Sequence, residues 1–311
     1  MDRIICIAGP TASGKTALAV ELAKQLDGEV VSCDSMQVYR YMDIGTAKPT
    51  KEEQQGIVHH MIDVAQPDEN FSVSRYCEMA TPIVDDILAR NKVAIIAGGT
   101  GLYMDALIKG NDFAPYPSTG ARERLETQAD EIGMEAMLEK LRAIDPEAAA
   151  KLHPADRKRI IRALEVFEET GETITAHNLR TQSVPPRYQP LWLGLDFDPR
   201  QALYDRIDLR VGLMLQAGLV EEIRSLLARG IPSKSTALQA IGYKEFVSAL
   251  EGNGSIELAA DQVRQSSRHY AKRQLTWFRR NPDMNWLVRG TDDNAEEIIT
   301  KARRLARQFD I

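Results

Sequence analysis

The chain has 311 residues, 43% of them hydrophobic and 27% charged, enough for one large core or two smaller ones. A net charge of −6 excludes a uniformly basic nucleic-acid coat protein, while leaving room for a local basic patch on an acidic body. Cys6, Cys33 and Cys77 form no C-x-x-C pair and no even disulfide framework, so they read as small buried hydrophobes in a reducing compartment. With no signal pattern and no apolar run near the roughly 18 residues of a membrane span, a cytoplasmic protein with no membrane partner is expected.

Residues 4–8 (IICIA) read as a buried strand, and residues 16–25 as a helix. Between them lies Gly9-Pro10-Thr11-Ala12-Ser13-Gly14-Lys15-Thr16, a G-x-x-x-x-G-K-T loop in the strand–loop–helix setting of a phosphate-binding loop. Glycines let backbone N–H groups curl inward. The helix N-terminus adds partial positive charge, Lys15 adds a full one, and the Thr16 hydroxyl can complete a Mg²⁺ shell. A diphosphate or triphosphate compound is expected here; the loop does not say which, nor whether a phosphoryl group moves.

Residues 29–33 form a second strand candidate that ends in Asp34. A carboxylate there suits a general base or a water-mediated Mg²⁺ contact, and a turn-forming Asp is the plainer alternative. His59-His60 lacks a matching ligand pattern and reads as non-metal. Residues 72–89 carry apolar side chains at helical spacing. A third strand, 93–97, runs into Gly98-Gly99-Thr100-Gly101. Many P-loop NTPases place an Asp at such a strand end to hold Mg²⁺, so its absence speaks against ordinary ATP hydrolysis. The glycines allow close approach of a flat ligand, with Thr100 as a hydrogen-bonding group, or make a plain tight turn.

Residues 111–120 are a turn-rich break, 121–169 are almost entirely helical in pattern, and 181–190 form a Pro-containing break. A fourth strand is expected at 191–195, then helices over 198–229, 236–249, 256–277 and 294–309. The alternation predicts an α/β fold, a P-loop NTPase-like parallel sheet flanked by helices with ligands at the carboxyl strand ends. The catalytic core takes residues 1–113 and 190–311, and a mostly helical insertion takes 114–189. Two basic segments, 157–162 and 264–280, interrupt the acidic chain, the second interleaved with Tyr270, Trp277 and Phe278. They fit polyanion binding or a solvated face about equally. Arg206 and Arg210 have the i, i+4 spacing of a diphosphate clamp or of ordinary surface arginines. Gly242 falls inside an expected helix, where it permits close packing or a close ligand.

Taken together, GPTASGKT, Asp34-Ser35-Met36-Gln37-Val38-Tyr39, Gly98-Gly99-Thr100-Gly101-Leu102-Tyr103, Arg162-Ala163-Leu164-Glu165-Val166, Ala240-Ile241-Gly242-Tyr243-Lys244-Glu245 and the segment Tyr270 to Phe278 resemble the bacterial tRNA dimethylallyltransferases, the tRNA isopentenyltransferase family, over essentially the whole chain. The resemblance implies transfer of a dimethylallyl group from dimethylallyl diphosphate to N6 of the adenosine at tRNA position 37, with Mg²⁺. It implies Asp34 as general base, Thr100 beside the target nucleotide, and Lys15 and Arg210 offsetting charge on departing diphosphate. Gly9, Pro10, Thr11, Ala12, Ser13, Gly14, Lys15 and Thr16 would hold the donor. The anticodon stem-loop would be contacted by Asp34, Ser35, Met36, Gln37, Thr100, Arg122, Lys158, Arg159, Ile160, Ile161, Arg162, Gln239, Ala240, Ile241, Gly242, Tyr243 and Lys244. The target base would be flipped into a channel, and the enzyme would act as a monomer. The competing readings are a small-molecule P-loop kinase, a prenyltransferase acting on free AMP, ADP or ATP, and an RNA-binding regulator with a P-loop switch.

Overall fold

The computed structural model describes residues 1–110, 119–182, 185–290 and 295–311. Most of the expected turn-rich break at 111–120, part of the break at 181–190, and Asn294 lie outside the described residues. The chain divides into two compact units, Met1–Ile108 with Arg187–Ile311, and Lys109–Pro186.

In the first unit β1 (Asp2–Ala8), α1 (Lys15–Leu26), β2 (Gly28–Cys33), the single turn α2 (Lys51–Gln54), β3 (His59–His60), α3 (Val73–Ala89), β4 (Val93–Gly98) and α4 (Gly101–Lys109) follow one another. The strands join one six-stranded sheet in the order β3-β2-β4-β1-β5-β6, and every pairing is parallel. Ile4, Ile5, Cys6, Ile7 and Ala8 are all fully buried. Side chains of both parities are therefore covered, as a parallel sheet with helices on both faces requires. Ile5, Ile7, Val30, Ile95, Leu191, Leu193 and Leu195 pack against Leu18, Ala19 and Leu22 of α1 and Ala302 and Ala306 near the C-terminus. Tyr76 of α3 is fully buried and its hydroxyl donates to Ser32 O of β2 at 3.1 Å.

The second unit holds α5 (Ala121–Ile132), α6 (Met134–Ile144), the short α7 (Pro146–Ala149), α8 (Arg157–Thr170) and α9 (Ile174–Gln182). The continuous helical pattern of 121–169 is broken at Gly133, whose φ is 82°, and at Asp145-Pro146. Leu125, Ala129, Met137, Leu138, Leu141, Ile160, Ile161 and Leu164 form this unit's own core.

The first unit resumes with β5 (Tyr188–Phe197), α10 (Arg200–Gln216), α11 (Leu219–Ala228), α12 (Lys244–Leu250), α13 (Ile256–Phe278), β6 (Asn285–Arg289) and α14 (Ala295–Gln308). The single helix expected over 198–229 is two helices, because Gly218 adopts φ 96° between them. The helix expected from 236 begins only at Lys244. Gly242, with φ 91°, is therefore a left-handed residue before the helix, not a mid-helix glycine.

Candidate functional site

The carboxyl ends of β2, β4 and β1, three adjacent strands, bring together Asp34, Thr100 and the G-x-x-x-x-G-K-T loop. β1 runs into Gly9, where a Cβ would stand 3.0 Å from Leu195 O. The loop ends at Gly14, φ 90°, the N-cap of α1, which offers no side-chain cap. The first-turn N–H groups of α1 are thus left for an anion. Ser13 Oγ is buried in the loop without a hydrogen-bond partner among the described residues, which suits a cradle for phosphate oxygens. Loop carbonyls are occupied by cations: Arg206 Nε donates to Ala12 O at 3.0 Å, Arg289 Nη1 to Ser13 O at 3.0 Å, and Lys15 Nζ to Pro10 O at 2.7 Å. Arg210 Nη1 donates to Thr11 Oγ1 at 3.4 Å.

This cradle demands negative charge. Burial, and then the Arg210 guanidinium, lower the Lys15 pKa to about 8, against a pull in the other direction from Asp34. Arg210 is shifted the same way, first by burial, with Arg206 adding repulsion. Two desolvated cations held together gain most from an arriving diphosphate.

Asp34 follows β2. Its Oδ1 accepts from Met36 N at 2.8 Å and Gln37 N at 3.3 Å, an Asx turn that fixes the carboxylate. No hydrogen bond to Oδ2 is found among the described residues. Thr100, past the end of β4, is fixed beside it: Thr100 N donates to Cys33 O at 3.2 Å, and Thr100 Oγ1 accepts from Ser35 N at 3.0 Å. The glycines before Thr100 make room for protein, not for a flat ligand. A Cβ on Gly98 would run into the Cys33 carbonyl, and one on Gly99 into the Gln274 amide. Gly101 is likewise closed by the Trp277 indole.

Thr11, Asp34, Ser35, Met36, Arg210 and the loop Gln239 to Lys244 line one cavity of about 370 Å³. The G-x-x-x-x-G-K-T loop, the Asp34 turn and a segment some 200 residues away in sequence therefore share a wall. Glu222 of α11 stiffens the far side. Its carboxylate accepts from the N–H groups of Asp43, Ile44 and Gly45 at 2.8, 2.8 and 3.2 Å, and from Tyr243 Oη at 2.7 Å. Gln37 lies one residue beyond the lining and donates to Thr46 O and Ala47 O.

Sequence reasoning left the apolar part of this cavity unassigned. Ile207, Val211 and Met214 of α10 and Val263 of α13 line it. Positions 207, 211 and 214 have the i, i+4, i+7 spacing of any core-facing helix, so no sequence signal separates them from packing residues. Tyr270 and Arg273 of α13 also line the cavity. The rest of the basic stretch is more structural than its composition suggests. Arg268 forms a two-pronged pair with Asp208 at 3.1 and 3.0 Å, Arg264 pairs with Asp261 at 2.6 Å, and Phe278 is core.

Arg122, Lys158, Arg159 and Arg162 are in the second unit and exposed, with Arg122 and Arg162 both reaching Glu165 Oε2. Ile160 and Ile161, which the resemblance groups with them, are fully buried in that unit's core. Their side chains hold α8 in place, and the surface of this turn belongs to Lys158, Arg159 and Arg162. Among the described residues no group of three or more His, Cys, Asp or Glu side chains is arranged to hold a metal ion, and no helix is long and apolar enough to cross a membrane.

A family model described as IPP transferase matches residues 37–281. A tRNA dimethylallyltransferase of Acetivibrio thermocellus is 45% identical, over 100% of this chain and 99% of that protein. The solved tRNA isopentenylpyrophosphate transferase of Bacillus halodurans superposes with a TM-score of 0.75 at 41% identity, covering 100% of this chain and 97% of that one. A eukaryotic dimethylallyltransferase solved acting on tRNA superposes with a TM-score of 0.82 at 29% identity, covering 98% and 78%. The parallel sheet, the phosphate-binding loop and a likeness that runs the length of the chain agree: this protein belongs to the IPP transferase family.

Proposed function

We propose that this protein transfers a dimethylallyl group from dimethylallyl diphosphate to N6 of the adenosine at tRNA position 37, releasing diphosphate. The observation that carries the reading is the single cavity bordered by Thr11 and Arg210 of the cationic cradle and by Asp34. In a kinase that cradle would hold a nucleotide triphosphate; here the adjoining apolar wall of Ile207, Val211, Met214 and Val263 suits a five-carbon allyl chain.

The N6 lone pair attacks C1 of the allyl group. The C1–O bond breaks, and the electron pair leaves with the diphosphate. Asp34, its Oδ1 anchored by two backbone N–H groups, takes the N6 proton on Oδ2. Lys15, Arg210 and the N-terminus of α1 stabilise the charge that accumulates on the leaving group. The apolar wall limits water around an allyl carbon with carbocation character. Thr100, held 3.0 Å from Ser35 N, borders the acceptor beside Asp34. Mg²⁺ would be held through the Thr16 hydroxyl at the start of α1, where it would supply charge neutralisation to the departing group. Arg122, Lys158, Arg159, Arg162 and the Gln239–Lys244 loop are the proposed grips on the anticodon stem-loop. The enzyme is proposed to work in the cytoplasm as a monomer, with residues 114–189 as its RNA-gripping insertion.

The experiment is transfer of label from radiolabelled dimethylallyl diphosphate, with Mg²⁺, into total bacterial tRNA lacking this modification. Parallel reactions contain AMP, ATP or no acceptor. Label in tRNA alone is the expected result. Label in AMP or ATP would make this a free-nucleotide prenyltransferase, and ATP consumption without label would return the loop to a kinase.

A further inference from the structure

Gln274 lies on α13, four residues after Tyr270 and one after Arg273, both of which line the cavity. The residue is 5% exposed. The amide oxygen accepts from Thr11 N at 2.9 Å, inside the phosphate-binding loop. The amide nitrogen donates to Gly99 O at 3.0 Å, just past the end of β4. Gly99 precedes Thr100, whose hydroxyl accepts from Ser35 N, next to Asp34. One buried side chain thus spans from the loop assigned to the donor to the strand end that fixes the acceptor side. Gly99 is what lets it in, because a Cβ there would collide with the Gln274 amide.

The chemistry of the bridge is specific. Thr11 N–H requires an acceptor and Gly99 C=O requires a donor, and a primary amide offers both without taking up a proton. An ionised Glu keeps the acceptor for Thr11 but turns a second acceptor on the Gly99 carbonyl, and restores the donor only by taking up a proton. Met keeps the volume and loses both bonds.

We propose that Gln274 is a positioning residue that sets the distance between the diphosphate cradle and the Asp34–Thr100 pair, and so the approach of the acceptor nitrogen to the allylic carbon. The proposal rests on the transfer reaction inferred above. Its signature is kinetic. Each substrate still finds its own half of the site, while the two halves are no longer held in register.

The test compares the unaltered enzyme with Gln274→Met and Gln274→Glu. It measures kcat and the KM of each substrate, calorimetric binding of inorganic diphosphate, and filter binding of tRNA. In Gln274→Met kcat is expected to fall about 100-fold, with diphosphate and tRNA affinities within about threefold of the unaltered enzyme. If Gln274→Met does not fold, as judged by circular dichroism, the same reading is taken from Gln274→Glu, which keeps the Thr11 bond. Unchanged kcat overturns the proposal. So does a fall in kcat matched by an equal loss of diphosphate affinity, because Gln274 would then only fold the donor loop. No transfer by the unaltered enzyme sinks the dimethylallyl reaction itself, a failure distinct from either of these.

Discussion

A carboxylate whose one oxygen is tied to two backbone N–H groups cannot rotate freely, and this fixed orientation is what suits Asp34 to the proposed role of base. Asp34→Ala is expected to lower kcat by about 10²–10⁴-fold, the usual worth of a positioned base. Diphosphate binding should change far less, because the contacts of the cradle come from other residues and Asp34 acts on Lys15 and Arg210 only through its charge. Steady-state kinetics beside calorimetry checks this; retained transfer with lost binding would remove Asp34 from the role of base. Lys15 carries a pH prediction. Burial and Arg210 hold its pKa at about 8, so in the diphosphate-free enzyme its charge is present below that value and lost above it. Inorganic diphosphate should therefore bind more weakly as pH rises through 8. Because the ligand's own titration is common to both proteins, the informative quantity is the difference from Lys15→Met, which should shrink toward zero above that pH.

Elements far from the site are tied by a buried acid. Glu29 of β2 accepts from Arg90 Nη1 and Nη2 at 2.5 and 2.9 Å and meets His60 Nε2 of β3 at 2.8 Å, joining the end of α3 to the sheet edge. The Arg90 hydrogen bonds, and secondarily His60, hold its carboxyl at about 2 despite the opposing cost of burial. That value lies below the ordinary 4.5, so the contribution is fully present above pH 4.5 and is lost as pH falls through 2. Glu29→Gln should cost at most on the order of 3 kcal/mol near neutral pH, and the penalty should fade on acidification. Urea unfolding of both proteins at neutral and at acid pH measures it; a pH-independent gap would refute the ionic origin. At this same scale the sequence was partly legible. The strands of 4–8, 29–33, 93–97 and 191–195 all form; three are short, nearly unbroken apolar runs, and 29–33 is built on Val30, Val31 and Cys33 with Glu29 and Ser32 before and between them. β6 escaped notice because Asn285-Trp286-Leu287-Val288-Arg289 sits at the sheet edge with only Leu287 buried, and its pattern is correspondingly mixed. The stretch 236–243 looked helical because Ala, Leu and Gln dominate it, yet Gly242 at φ 91° turns the chain there.

For the whole molecule the chain is interrupted at one place. Arg187 N donates to Ile108 O at 2.8 Å, so the first unit closes on itself across the point where the second unit leaves and returns. Replacing residues 109–186 with a short Gly/Ser linker is therefore expected to leave a folded first unit that binds inorganic diphosphate. Its transfer to tRNA should be lost, because Arg122, Lys158, Arg159 and Arg162 go with the insertion. Circular dichroism, calorimetry and the label-transfer assay together check this, and undiminished tRNA modification would remove the insertion from RNA recognition. The amino-acid sequence by itself determined the phosphate-binding loop, the parallel α/β class and the presence of a helical segment between two breaks. Those features are written in local order, in glycine placement and in apolar runs that act over a few residues. Only the tertiary structure decided that Gln239–Lys244 reaches the Asp34 turn, that α10 and α13 supply the apolar wall, that Ile160 and Ile161 are core, and that Gln274 bridges Thr11 and Gly99. Each is a contact across a hundred residues or more, or a choice of which helix face turns inward, and such choices are made by the packing of the whole chain rather than by any stretch of it.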